Sequence, residues 1–200
     1  MANLRVGTGI TFDGATGNFN AMGIGTVRGA FNATGTITAT SVTATTYTGI
    51  TSTSLPAGTV LQSVGATYST TYANTTATYA DTGLSASITI SANSKVLILV
   101  TQPLEMKQTA AKMRGDIRLM RGSTEIYGNS SHQIIMLENQ TSETKYLSGY
   151  VNLTFLDTGA STGSNTYKTQ IRCHTEGNNA RIRTSDNSAP ASITLMELAG

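Results

Sequence analysis

The tripeptide Asp-Thr-Gly occurs twice in the chain, within YADTGLS at 79–85 and within FLDTGAST at 155–162. Paired Asp-Thr-Gly loops suit aspartic-protease chemistry, in which two carboxyls close enough to share a proton activate a water. That chemistry needs more than the tripeptides. A two-lobed enzyme carries its loops in lobes of similar design and greater combined length, and a single-lobed one follows its aspartate with two apolar residues and a glycine. The nearest string, YLSGYVN at 146–152, precedes Asp157 and has Ser between the apolar pair and the glycine. A plainer account suffices: each aspartate caps a turn at a strand end, and each glycine supplies positive φ. The expectation is two turns, no catalytic residue and no enzyme.

Cys173 and His174 adjoin in RCHTE at 172–176, where a Cys–His nucleophile pair or a metal site suggests itself. Neighbours in a strand face opposite ways, so these side chains should diverge. His132, the other histidine, is 42 residues away, and no CxxC or HxxxH spacing completes a zinc set. GIGTVRGAF at 23–31 misses the GxGxxG spacing and opens no helix. No cofactor, metal ion or nucleotide is expected. Arg114, Arg118 and Arg121 gather with Lys107 and Lys112 and could meet an anionic glycan or a neighbouring chain. The alternative is a solvated face balanced by Glu105, Asp116 and Glu125. Tyr68, Tyr72 and Tyr79 are either a sugar-stacking surface or strand residues packed on a core.

The elements that position these residues must be strands. Thr occurs 36 times, Trp is absent and only 12% of residues are charged; β-branched Thr favours extended backbone over helix. A net charge of +2 is too small to draw nucleic acid or an anionic membrane. No apolar run approaches the ~18 residues of a membrane span, and a single cysteine excludes an intrachain disulfide. The start, MANLRVGTG, lacks the basic-then-apolar pattern of a signal peptide, so assembly in a cytoplasm is expected.

Charge divides the chain in two. After Arg28 the next charged residue is Asp81, 52 uncharged residues later, and SLPAGT at 54–59 is the natural hinge. Before it, ATGTITATSVTATTYTGITST at 33–53 places large apolar residues at Ile37, Val42 and Tyr47, a spacing of five. An odd spacing sends alternate members to opposite faces of a regular strand, and Thr and Gly disfavour a helix. Very short strands separated by corners fit, each turning one apolar residue to a common axis. Five large apolar side chains over 32–57 cannot offset the entropy of ordering that backbone in one isolated chain. Identical chains wound together close the strand edges and bury the sparse row. Ile37, Val42 and Tyr47 are thus expected at a trimer axis; the alternative is a disordered linker. Residues 1–31, with Gly every few positions, are either an anchor fitting into another protein or more of the same shaft.

From residue 59 onward strand-like runs recur between turn-rich pieces such as SANS, DTGASTGSN and SDNSAP. Eight or nine strands at this spacing read as a β-sandwich of jelly-roll type. KVLILV and QIIML, continuously apolar, are expected to be central strands, and YVNLTFL, which partly alternates, to have one wetter face. DIRLMRGSTEIYG reads as a hairpin turning at Gly122-Ser123, and EMKQTAAKMRG as strand-to-loop.

GTITATSVTATTYTGI resembles the Thr/Gly-rich shaft repeats of tailed-bacteriophage fibres. YADTGLSASITISANSKVLILVTQ, IRLMRGSTEIYG and SITLMELAG are similar to the C-terminal domain of virion fibre proteins of phages, notably those infecting cyanobacteria. The resemblance implies a homotrimer, a slender N-terminal part fixed to other virion proteins, and a distal head related to trimeric jelly rolls. It carries over no ligand residues, because binding surfaces vary in such proteins. It also implies assembly in the host cytoplasm and a place on the virion. The expected protein is all-β: an N-terminal anchor and extended trimeric shaft over 1–57, then a jelly-roll-like sandwich over 58–200. Its expected role is attachment to a host-surface glycan or protein, with no nucleic-acid partner and no membrane insertion. A capsid decoration or head-fibre protein without receptor binding is the alternative, and an enzyme cutting surface polysaccharide is the third class.

Overall fold

A computed structural model describes residues 10–13, 18–21, 55–109, 113–128, 135–137, 143–174 and 180–200. The chain divides into two units, Met1–Tyr47 and Thr48–Gly200. In the first, strands β1 (Ile10–Asp13) and β2 (Asn18–Ala21) pair antiparallel, with Ile10 opposite Ala21. Ile37, Val42 and Tyr47 lie outside the described residues.

The second unit is a β-sandwich. Its strands are β3 (Val60–Tyr68), β4 (Tyr72–Asn74), β5 (Ala80–Ile90), β6 (Lys95–Thr109), β7 (Met113–Arg121) and β8 (Thr124–Tyr127), followed by β9 (Ile135–Leu137), β10 (Thr144–Asp157), β11 (Gly163–Cys173), β12 (Arg181–Thr184) and β13 (Ala191–Leu198). One sheet centres on β6. Along one side β6 pairs with β10 over its whole length; along the other it pairs first with β13 and then with β12, which carry β3 and β4 beyond them. The second sheet runs β5-β11-β7-β8, with β9 against β7. All pairings are antiparallel, and the expected hairpin turns at Gly122-Ser123 between β7 and β8.

KVLILV is central, as its apolar run requires. QIIML is not: it supplies β9, three residues at the margin of the second sheet. Continuous apolarity does not by itself say which strands become neighbours. EMKQTAAKMRG is strand to Thr109, as expected, and strand again from Met113, where loop was expected; residues 110–112 lie outside the described residues.

Side chains alternate, and one row per strand fills the core. Val96, Ile98, Val100 and Met106 of β6 face Leu84 and Ile88 of β5, Ile117 and Leu119 of β7, and Tyr167 and Ile171 of β11. Each such side chain contributes roughly 1.5–3 kcal/mol by leaving water. Polar cross-links fix how the sheets lie on each other. Gln102 of β6 donates to Thr184 and accepts from Thr169 of β11 at 3.0 Å, and Thr169 meets the Thr82 hydroxyl of β5 at 2.6 Å. All four are buried. At the end of β10, Asp157 accepts from Arg121 of β7 at 2.6 and 2.8 Å and from the Tyr167 hydroxyl at 2.9 Å. Burial, together with that bond to Asp157, pushes the Tyr167 phenol well above its ordinary pKa.

The β5–β11 ladder slips two places between the Lys168–Ser85 and Gln170–Asp81 pairs, and Gly83 takes φ of +91° at this bulge. A Cβ on Gly83 would come within 2.3 Å of the Tyr68 ring. Gly83→Ala should therefore lower unfolding free energy by about 2–4 kcal/mol, through backbone strain and overpacking together. Urea titration followed by circular dichroism measures it, and an unchanged midpoint would refute the account.

Candidate functional site

The residues that could do chemistry are held apart. Asp157 caps its turn as expected, accepting from the Gly159 amide at 3.0 Å, but Gly159 is not in the positive-φ region. Asp81 reverses this: Gly83 has positive φ, yet Asp81 caps no turn, lying inside β5 on the outer face. There it accepts from Lys168 at 2.8 Å and Gln170 at 2.7 Å. Partial burial raises the Asp81 pKa, but those bonds outweigh it and leave the carboxyl below its ordinary value. Each aspartate thus has its own set of donors, and the two are not bonded to each other. Cys173 is buried in the core while His174 is exposed, so the adjacent side chains diverge. His174 Nδ1 lies 3.9 Å from Asp116; His132 lies outside the described residues. Among the described residues no three His, Cys, Asp or Glu side chains converge as metal ligands, and no helix is long and apolar enough to cross a membrane.

The arginines expected to cluster are distributed. Arg121 turns inward to Asp157, while Arg118 pairs outward with Glu125 at 2.7 Å and donates to Gln170 at 2.8 Å. Lys112 lies outside the described residues. Of the tyrosines, Tyr68 and Tyr72 pack against the core. Tyr79 is covered by the guanidinium groups of Arg118 and Arg172, at 3.9 and 4.5 Å from its ring centre. Three candidate platforms for sugar are therefore packing residues.

What distinguishes this molecule is the contrast between its two outer faces. The outer row of the second sheet is polar: Asp81, Ser85, Ser87 and Thr89 on β5, then Ser164, Thr166, Lys168, Gln170 and Arg172 on β11. The outer face of the first sheet is apolar at one end of β6, up to a polar row of Asn152, Thr101 and Ser192. Residues directly opposite in an antiparallel pair share a face, so the rows can be read across. Leu156, Leu97 and Met196 form one, and Thr154, Leu99 and Thr194 the next. Leu156 is 43% exposed, Leu99 37%, and Val60, opposite Leu198, 53%. Toward the other end of β6 the rows become aromatic and charged: Tyr150 opposite Pro103, then Ser148-Glu105-Arg183, then Tyr146-Lys107-Arg181. Tyr146 is 57% and Tyr150 61% exposed.

A hollow of about 330 Å³ opens in this second half, between Ser148–Tyr150 and the Asp186–Ala189 turn, floored by Pro103, Leu104 and Glu105. Its cause is local. β13 pairs β6 up to Thr101 and β12 resumes at Leu104, so neither pairs with Gln102 or Pro103. A proline inside a central strand has no N–H for the ladder and belongs at such a break. The chain crosses the break through a turn in which Ser185, Asn187 and Ser188 all have positive φ, 51–61°.

Beside the hollow, Glu105 accepts from Arg181 at 2.8 Å and Arg183 at 2.9 Å, and Arg183 reaches Asp186 at 2.5 Å. Burial alone would raise the Glu105 pKa; the two guanidinium groups outweigh it and hold the carboxyl below its ordinary value.

No protein-family model and no curated protein matches the chain. The turn at 185–189 lies in SDNSAP, a turn-rich piece as expected, whereas the exposure of Tyr146 and Tyr150 was not foreseen. The available signal was KYLSGYVNLTFL, whose outward positions mix Tyr146, Tyr150 and Leu156 with Ser148, Asn152 and Thr154, where a strand facing water on one side would carry polar residues throughout.

Because Glu105 has a folded pKa below its unfolded value near 4.5, its contribution is complete above that pH and disappears as pH falls through the lowered folded value. Glu105→Gln should cost about 1–3 kcal/mol at pH 7 by removing the carboxylate partner of Arg181 and one of the two partners of Arg183. The gap from wild type should shrink toward pH 3. Urea midpoints at both pH values test this; equal stabilities at pH 7 would count against the cluster.

Proposed function

We propose that the chain is a structural protein of a bacteriophage virion, a homotrimeric fibre fixed to the particle through its N-terminal segment. Its sandwich is presented for attachment to a host surface, and its role is non-enzymatic. The observation that carries the reading is the contrast between the outer faces. The second sheet faces water with serine, threonine and paired charges. The first exposes leucines on β6 and β10, a valine on β3 and tyrosines on β10, the pattern of a surface that meets a partner.

The partner at the apolar half is a second and third copy of the chain. β10 is a 14-residue edge whose other side pairs with no described strand, and an open edge invites unlimited pairing unless association closes. A three-fold ring closes. The Thr-rich front segment supports the same stoichiometry, since sister chains wound together there hold three heads at high effective concentration. Strand order β3-β13-β6-β10 facing β5-β11-β7-β8 supports the jelly-roll form of the sandwich. Three weakly binding heads on one shaft would attach by avidity.

Sedimentation of the full chain at micromolar concentration should give close to three times the 20.9 kDa protomer mass; a compact monomer would sink the proposal. Val42→Asp should prevent shaft assembly while circular dichroism still reports a folded sandwich. Leu156→Asp should weaken head association without unfolding the sandwich. Immunogold electron microscopy of particles would then place the chain on tail or capsid.

A further inference from the structure

The break in the ladder opposite Gln102 and Pro103 leaves a hollow with a composition unlike the rest of the face. We propose that it binds a neutral saccharide unit, an inference that rests on the attachment role and names the chemical class of what the head grips. A pyranose ring has an apolar face of C–H groups and a rim of hydroxyls. It therefore needs a flat apolar surface with donors and acceptors at its margin.

The hollow supplies both. Tyr150, 61% exposed, stands directly opposite Pro103 and forms the flat wall. Gly149 beside it adds no side chain, and the space a Cβ would enter there is empty within 4 Å. At the opposite rim Asp186 is held by Arg183 through Oδ2, and its Oδ1 makes no bond among the described residues. Asn187, next along in the left-handed turn, adds an amide able both to donate and to accept.

The charge arrangement selects a neutral sugar. The charged residues lining the hollow are Glu105 and Asp186, both carboxylates held by Arg181 and Arg183, so the lining presents no cation to a sialic acid or sulfate. The volume of about 330 Å³ is at the small end for a ligand site, fitting a terminal sugar better than a folded partner.

The test is a glycan array carrying neutral and anionic oligosaccharides, probed with the full-length protein, its Tyr150→Ala variant and its Asp186→Asn variant. The expected result is a signal on neutral glycans that falls about tenfold or more in both variants, with sedimentation unchanged from wild type. Tyr150 is exposed, so its truncation should leave the fold intact. Should Tyr150→Ala disturb association, Asp186→Asn, which lies off the apolar rows, decides. Absence of any neutral-glycan signal, binding to anionic glycans alone, or undiminished binding by Asp186→Asn would each overturn the site. A monomeric protein that still shows the Tyr150- and Asp186-dependent signal would overturn the fibre reading and leave the saccharide site standing.

Discussion

Side chains along β6 alternate, and the strand sits at the middle of its sheet, so its two rows face two different worlds. Val96, Ile98, Val100 and Met106 point into the sandwich, while Leu97, Leu99, Pro103, Glu105 and Lys107 point away. A slip of one residue would exchange the rows and put Glu105 and Lys107 into the core. Everything attached to β6 inherits this division. β10 follows it for 14 residues, and β13 and β12 follow it in turn on the other side. The core and the outward face are therefore two readings of one strand.

Charged residues are few, and where they are buried each has an assigned partner. Asp157 takes bonds from Arg121, Tyr167 and Gly159, which ties the end of β10 to the opposite sheet. Gln102 and three threonines do the same nearer the centre. An unpaired group at either place would cost the full desolvation of a polar atom. These links restrict how the sheets can slide, a restriction that aliphatic packing alone, being non-directional, supplies weakly. They also explain why two Asp-Thr-Gly tripeptides in one chain need not mean shared chemistry: one aspartate is a cross-link and the other a surface acceptor.

The site and the fold meet at Pro103. A residue unable to donate is placed where the neighbouring strand breaks, and the break makes room for a left-handed turn and a hollow beside an exposed tyrosine. Local backbone chemistry thus generates concavity on an otherwise ruled surface. The apolar rows at one end of the face and the aromatic, ion-paired rows at the other suit different occupants, and they are separated along the same strands.

The amino-acid sequence alone determined the class and most of the strands. Thr abundance, period-two runs and Gly- or Asn-bearing turns are local signals, set by backbone sterics and side-chain alternation within a few residues. They located the hairpin at Gly122-Ser123, the central place of KVLILV and the divergence of Cys173 from His174. Other features depended on residues far apart in the chain. Whether QIIML is central or marginal, whether Tyr79 is open or covered by Arg118 and Arg172, and whether Asp81 caps a turn or sits in a bulge are decided by which strands become neighbours. So is the hollow, since Tyr150, Pro103 and Asp186 meet only after β10, β6 and the link between β12 and β13 come together. Short-range propensity has no term for such meetings; tertiary pairing alone creates them.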